Sequence, residues 1–466
     1  MRIRTYDATD GDCLLFTSDD GHHILFDGGR KGSFVDNTLT DLGTLGGTID
    51  LVCVSHVDND HIQGVVRLVD SQIEHVVHTH QVATGNPNAK APAAPQVAVS
   101  EVWHNAFDAL TDDDDGTIAT ALAAQHRVLS QLVTAEGEAT PLGTAVAAEM
   151  QIDVEELARG DRLATGYLEG IELARKLKGN WLGASLNSGF ERGRPPLVKR
   201  PGTSKSNDKI PTVAVGSAQV EVLAPTHAQL IDFADVWQKW GAEHTERIAK
   251  LARSIDEIML TTSSGQPRMV ESAKRSSLTP QNLVSIVALV EDGCRTALFT
   301  GDAHQEDILA GLRAGGRLGP ESGGSGSGLH LDVVKIQHHG SPNNLDDEFA
   351  RQITADHYLF CGNGAHGNPS AQVVDYIIDA RLARPGTADA ALTTQTCDPF
   401  HLWFTAHPDR ISSKARTEHM TGLYKHLKER LDETPGRFGV SVLNGPFFDV
   451  DPATHAAADL TGFRTV

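Results

Sequence analysis

Ser55-His56-Val57-Asp58-Asn59-Asp60-His61 follows directly on the apolar run Ile49-Asp50-Leu51-Val52-Cys53-Val54. Four side chains able to ligate a metal fall within the six residues from His56 to His61. The apolar run reads as a buried strand. At its tip the chain can turn sharply enough to aim His56, Asp58, Asp60 and His61 into one small volume. Imidazole and carboxylate together suit zinc, manganese or iron(II), and a cluster with one open position holds a water that ionises near neutral pH. The competing reading makes Asp60 the cap of a helix beginning near Ile62. A cap needs one acid, whereas the order H-x-D-x-D-H supplies four ligands.

Two later segments end the same way. Ala297-Leu298-Phe299-Thr300-Gly301-Asp302 is a strand-like run closed by a carboxylate, and Glu306 to Leu312 reads as the helix after it. A second strand-end carboxylate is what a two-metal site uses to bridge its ions; the alternative for Asp302 is again a helix cap. His338 and His339 follow the strand-like run Asp332 to Gln337. Neighbouring residues on a strand point to opposite faces. One of the two is therefore expected to ligate while the other orients a phosphate or a ligand, and the residues alone do not choose between them. Asp27, in Ile24-Leu25-Phe26-Asp27-Gly28-Gly29, is expected to bond loop amides or a ligand histidine from behind.

Taken in order, these segments resemble the metallo-β-lactamase-fold metallohydrolases, whose signature is H-x-H-x-D-H at a strand end. The form with Asp in the second ligand position is similar to the soluble hydrolase domain of the bacterial DNA-uptake competence channel. The Ile24–Gly29 strand, the strand ending in Asp302, and Val333-Val334-Lys335-Ile336-Gln337-His338-His339-Gly340-Ser341 fit that pattern, and Gly11-Asp12-Cys13-Leu14-Leu15 is similar to its first hairpin. The resemblance implies an αββα sandwich, in fold class α/β (α+β), with metals at one edge. It implies one or two zinc ions, with manganese made more credible by Asp58. It departs from the broader family in one place. No Gly-His-Thr/Ser element lies between the first motif and Asp302, and Asn282-Leu283-Val284-Ser285 stands there instead, with Asn282 and Ser285 replacing the ligand. One metal site is thus short of an imidazole.

Two other histidines are candidates to fill that place or to touch substrate. His104 follows a strand-like run beginning near Val97, and His366 lies in the glycine-rich loop Cys361 to Pro369. Lys335 and Ser341 are candidates for holding a phosphate. So is the basic stretch carrying Arg192, Arg194, Lys199, Arg200 and Lys205, whose plainer reading is an exposed loop.

Composition bounds these readings. The 466 residues carry 40 basic and 61 acidic side chains, a formal charge of −21. So acidic a chain is ill suited to wrap long nucleic acid, which needs a basic footprint; no extended nucleic-acid surface is expected, although a nucleotide or strand end can reach a local metal cleft. Five cysteines without a C-x-x-C pair read as buried free thiols of a reducing compartment. No apolar run reaches membrane-spanning length, and the opening residues read as a strand and not a signal segment. A cytoplasmic protein away from membranes is expected, its oligomeric state open.

Along the chain, residues 1–106 read as the first half of the sandwich, 107–210 as an inserted helical cap, 211–370 as the second half, and 371–466 as a C-terminal extension packed on the core. Asp112-Asp113-Asp114-Asp115-Gly116 reads as a solvated helix cap, residues 241 to 277 as charged and helical, then flexible, Gly315 to Gly328 as a flexible linker, and Leu392 to Thr396 as a strand. The expected activity is hydrolysis by a metal-activated water, with Asp60 orienting that water or moving its proton. The substrate expected is a phosphodiester in a nucleotide or nucleic acid. The alternatives are a carbonyl ester, lactone or β-lactam, or a metal-binding regulatory protein without turnover.

Overall fold

The structure, a computed structural model, describes residues 1–46, 48–106, 117–133, 139–150, 154–179, 181–190, 197–202, 210–235, 282–319, 328–383, 399–453 and 463–465. Strands β1 (Arg2–Tyr6), β2 (Leu14–Thr17) and β3 (His23–Phe26) form an antiparallel meander. Then β4 (Thr48–Cys53), β5 (Ala98–Trp103) and β6 (Ser185–Leu186) each add parallel to the strand before. The second sheet repeats this plan. A meander of β7 (Thr212–Val215), β8 (Ala218–Ala224), β9 (Val287–Asp292) and β10 (Arg295–Phe299) leads into parallel β11 (Leu329–Lys335), β12 (Ile353–Phe360), β13 (Phe400–Phe404) and β14 (Phe438–Val442). Finally β15 (Phe447–Val450) crosses back to pair with β1, and β16 (Phe463–Thr465) lies beside β14.

Side chains that alternate along each strand sort the apolar residues into layers. Leu14, Phe16, Ile24, Phe26, Leu51 and Cys53 meet Val222, Phe299, Val333 and Leu359 between the sheets, where Phe26 stacks on Phe299 with ring centroids 3.8 Å apart. Their neighbours Leu15, Leu25, Val52 and Val54 face outward onto Ile62, Val65 and Val69 of helix α1 (Asn59–Ala83). The inserted region supplies α2 (Thr117–Leu129), α3 (Pro141–Met150) and α4 (Val154–Leu177), of which α4 adds Leu173 and Leu177 to that outer layer. On the far side, α5 (Gln305–Ala314), α6 (Asp347–Gln352), α7 (Ala371–Leu382) and α8 (Lys414–Glu433) cover the second sheet through Ile308, Phe349, Val374, Ile378 and Leu427. Helices, sheet, sheet, helices: this is the αββα arrangement expected from the motifs.

Two expectations need correction. The region 107–210 is not only a helical cap, since β6 within it joins the first sheet as an edge strand. The residues after 371 are not an appendage either. β13 and β14 lie inside the second sheet and β15 completes the first. Both errors share a cause: strand partners distant in sequence, as Glu101 with Ser185 and Ile3 with Val450, leave no local signal. The acidic run Asp112 to Gly116, the stretch 241–277, Arg192, Arg194, Lys205, Ser322 to Ser327 and the expected strand Leu392 to Thr396 lie outside the described residues. Among the described residues no helix is long and apolar enough to cross a membrane, and Cys13, Cys53, Cys294 and Cys361 are free thiols, the third of them exposed.

Candidate metal centre

Strand ends build the site. Asp27 follows β3, His56 to His61 follow β4 and run into α1, Asp302 follows β10, and His338 and His339 follow β11. β3 and β4 are parallel in one sheet and β10 and β11 in the other, so both sheets deliver carboxyl ends to a single edge, the usual place for a ligand in such sheets. The Ile286 amide donates to the Ser55 carbonyl at 2.8 Å and ties the two ends together. The β1–β2 turn closes in from a third side, where the Asp12 amide donates to the Asp60 carbonyl at 3.1 Å. A Cβ on Gly11 would sit 1.8 Å from that carbonyl oxygen, so only glycine allows this approach.

Four imidazoles surround the Asp302 carboxylate. Nε2 of His56, His338 and His339 each lies 3.7 Å from Asp302 Oδ2, and Nε2 of His61 lies 3.4 Å from Oδ1. In three of the four the other ring nitrogen is hydrogen-bonded. His56 Nδ1 is 3.0 Å from Ser55 Oγ, His61 Nδ1 is 2.9 Å from Asp27 Oδ2 and His338 Nδ1 is 2.6 Å from Asn344 Oδ1, whereas His339 Nδ1 lies 3.2 Å from Asp12 Oδ1 without a hydrogen bond. A ring held at Nδ1 by an acceptor presents the Nε2 lone pair, which is how histidine is prepared to ligate. His56, His61 and Asp302 offer ligand atoms within 4.8 Å of one another, as do Asp60, His61 and His339. Asp58 adds an oxygen 3.6 Å from His56 Nε2. Among the described residues, Nε2 of His56, His61 and His339 and Oδ1 of Asp302 are buried without a hydrogen-bond partner. Buried polar atoms are ordinarily paired, and a divalent cation fits this donor set.

The electrostatics agree. Asp12, Asp27, Asp60 and Asp302 crowd a volume into which Lys335 reaches, paired with Asp12 and 3.8 Å from Asp302. Burial works against charge on His61, but Asp302, Asp27 and Asp12 outweigh it and hold the imidazole well above its ordinary range. His339 is pushed up to about 10 by the same contest, with Asp302 and Asp12 prevailing over burial. Asp60 and Asp302 stay well below the usual carboxylate range because neighbouring histidines outweigh their desolvation. Such a field draws positive charge.

Neither helix-cap reading holds. Asp58 is the N-cap of α1 without a side-chain cap bond, and His304 caps α5. This leaves Asp60 and Asp302 turned into the cluster. Asn282 and Ser285 also reach it: Asn282 Nδ2 lies 3.3 Å from His338 Nε2, and Ser285 Oγ accepts from the Asp302 amide at 3.3 Å. Asp27 sits behind the ligands, taking the Ser55 amide and hydroxyl at 2.7 Å each.

Other candidates lie elsewhere. His104 is buried beneath α4, 3.2 Å from the Gly170 carbonyl, and burial lowers its pKa to about 4. His366 is exposed on the turn Ala365–Gly367. Lys335 is buried and its ammonium is committed to Asp12 and the Gly301 carbonyl, so it braces the cluster from within and does not face a phosphate. Ser341 is buried in the turn after His339, its amide donating to the His338 carbonyl. Of the basic stretch, Arg200 is buried against Pro225 and Lys199 contacts His227.

Sequence reasoning missed Asp12, Asn344 and the pair Asp10–Arg30, whose guanidinium is bidentate at 2.9 and 3.0 Å. Asp12 had a signal, a Gly-Asp turn inside the first hairpin, that points to a buried acid only once Lys335 is known to face it. Arg30 stands close enough to help hold Asp60 ionised.

Residues 6–178 match the family model of the metallo-beta-lactamase superfamily, a group that typically binds divalent metals and is generally hydrolytic, with some non-catalytic members. Among curated proteins the chain is similar to microtubule-associated protein 1A of Rattus norvegicus, 33% identical over 84 residues, 17% of this chain and 3% of that protein. The Mus musculus protein of the same name is 32% identical over 113 residues, 24% of this chain and 4% of that one. The chain thus spans only a few per cent of the length of the curated relatives it matches. The match over 6–178 contains Asp12, Asp27 and the whole H-x-D-x-D-H element, and the two-sheet architecture that adds Asp302, His338 and His339 is that of a metallo-beta-lactamase α/β sandwich.

Proposed function

We propose that this protein is a metal-dependent hydrolase of phosphodiesters, in a nucleotide or nucleic acid, with zinc or manganese as its metal. One observation carries the metal-dependent part: four imidazoles all turn Nε2 toward the Asp302 carboxylate. A divalent cation held there would supply an ionised water and neutralise the oxyanion that forms at the attacked centre. The chain's own residues do the rest. Asp60, 22% exposed at its side chain and ionised, is the carboxylate through which the attacking water is oriented and its proton removed. Asp27 and Asp12 fix the rings of His61 and His339.

The phosphodiester reading is supported by the cations next to Asp60. Arg30, bidentate to Asp10, lies close enough to Asp60 to act on its charge, and Arg416 lies 3.9 Å from the same Asp10. In a chain of net charge −21, two partly exposed arginines beside an acidic site favour an anionic substrate. The test is turnover by metal-loaded protein of bis(p-nitrophenyl) phosphate and dinucleotides, alongside p-nitrophenyl acetate, a lactone and a β-lactam. Phosphodiester cleavage lost in Asp302→Ala supports the reading. Cleavage of the carbonyl substrates alone, or of none, overturns it.

A further inference from the structure

We propose that the flank of the sandwich where both sheets end holds a second ligand site, one for a small organic cation: a primary ammonium on an apolar body that also carries an oxygen acceptor. The site is separate from the metal centre and does not rest on the function proposed for it. β6 is the outermost strand of the first sheet on this flank and β7 of the second. A cleft of about 280 Å3 lies here, between β4 and β5 on one side and β7 on the other. That volume is near the lower end for small-molecule sites, which span roughly 300–1,000 Å3. Leu51 and Trp103 line it from the first sheet, Val213 and Val215 from β7. It lies away from the metal ligands along β3, since His22 in its wall precedes that strand and Asp27 follows it. The β7–β8 turn closes this end, where a Cβ on Gly216 would come 2.3 Å from His22 Cδ2.

The chemistry of the walls selects the occupant. Two acids line the cleft, Asp50 and Glu101. Asp50 has a counter-charge within reach, His22 Nδ1 at 3.0 Å. Glu101 takes the Ser188 amide and hydroxyl at 2.6 Å each, both neutral donors, and among the described residues it forms no ion pair. Burial raises its carboxyl above the ordinary range in spite of both bonds. A half-buried carboxylate without a cation favours an occupant that brings one. In the same wall Trp103 is 0% exposed, and its Nε1 has no hydrogen-bond partner among the described residues. Buried donors are ordinarily paired. The indole nitrogen can only donate, so the group that matches it is an oxygen acceptor. Leu51, Val213 and Val215 supply apolar contact for the body that joins the two polar groups.

The test is calorimetric titration of the full chain with tyramine as the probe. Phenethylamine, which lacks the oxygen, and 4-hydroxyphenylacetate, which reverses the charge, are titrated beside it. Wild type is expected to bind tyramine saturably at one equivalent, phenethylamine more weakly, and 4-hydroxyphenylacetate not at all. Glu101→Gln should weaken tyramine at least roughly tenfold, and Val213→Phe, which fills the cleft, should abolish binding. Trp103→Phe should weaken tyramine and leave phenethylamine unchanged, a split that lost packing alone would not give. Asp302→Ala should bind tyramine as wild type does, which separates this site from capture of the amine by a metal. Thermal melts establish that each variant is folded. Absence of saturable tyramine binding overturns the proposal, as does binding that is unchanged in both Glu101→Gln and Val213→Phe, or lost in Asp302→Ala. None of these outcomes bears on the hydrolase reading, whose test is turnover.

Discussion

Asp27 Oδ2 lies 2.9 Å from His61 Nδ1 and accepts the Ser55 hydroxyl at 2.7 Å, while its Oδ1 takes the Ser55 amide. One carboxylate thereby sets the ring of a ligand and the backbone from which the ligand loop departs. Asp27→Asn leaves the shape and removes the charge and one acceptor. Metal affinity is expected to fall roughly 10- to 100-fold with the fold intact, as a chelator competition titration would register. Unchanged affinity would mean that Asp27 serves the loop alone.

Asp12 and Lys335 are both almost wholly inaccessible and bonded to each other. Removing one partner strands the other as a buried charge, which typically costs about 3–5 kcal/mol. Lys335→Met and Asp12→Asn should each show that loss in denaturant unfolding, and the double variant should lose clearly less than the sum. Additive losses would show that the pair is not coupled.

Helix α4 lies against the ligand loop through Gly166. A Cβ there would come 2.3 Å from the Val57 carbonyl oxygen, in the middle of the H-x-D element. Gly166→Ala should destabilise by about 1–3 kcal/mol and also weaken metal binding, since the helix or the loop must yield. A thermal melt together with a metal titration separates this from a purely local effect, which would move only the melt.

Glu169, one turn from the same contact, is raised to about 7 by burial, against the opposing pull of its hydrogen bond from Gln63 and of Arg30. An unfolded Glu ionises near 4.5. Across the window from about 4.5 to 7 the folded chain still holds a proton that the unfolded chain has released, so stability declines as pH rises. Glu169→Gln should flatten that decline and gain stability near neutral pH. Denaturation midpoints across this window would check it, and parallel curves for the two proteins would refute it.

The legible part of the site was the part carried by strand ends. Short apolar runs announced β3, β4, β10 and β11, and polar residues at their tips announced Asp27, His56 to His61, Asp302 and His338–His339. Alternation does not extend to the last pair, because it applies inside a strand and these histidines lie past one in a left-handed turn. Asp12 and Lys335 could not be paired from sequence, since each is ordinary alone and their meaning is their contact. Lys335 read as a phosphate clamp for the same reason: a lysine beside a metal motif does not reveal whether its ammonium points inward. The outer strands were hidden by distance, with Ile3 paired to Val450.

That last pairing bears on how the protein must be made and handled. β15 covers an edge of the first sheet that would otherwise offer the free amides and carbonyls of β1 to other chains. The first sheet is therefore finished only when residue 450 has emerged, and His56 to His61 wait on Asp302 and His338–His339 from the other half. A fragment cut to residues 6–178 would expose a sticky edge and carry an open half of the ligand set. The unit to express, dissect or fuse is the span from β1 through β15, with synthesis nearly complete before the metal centre can assemble.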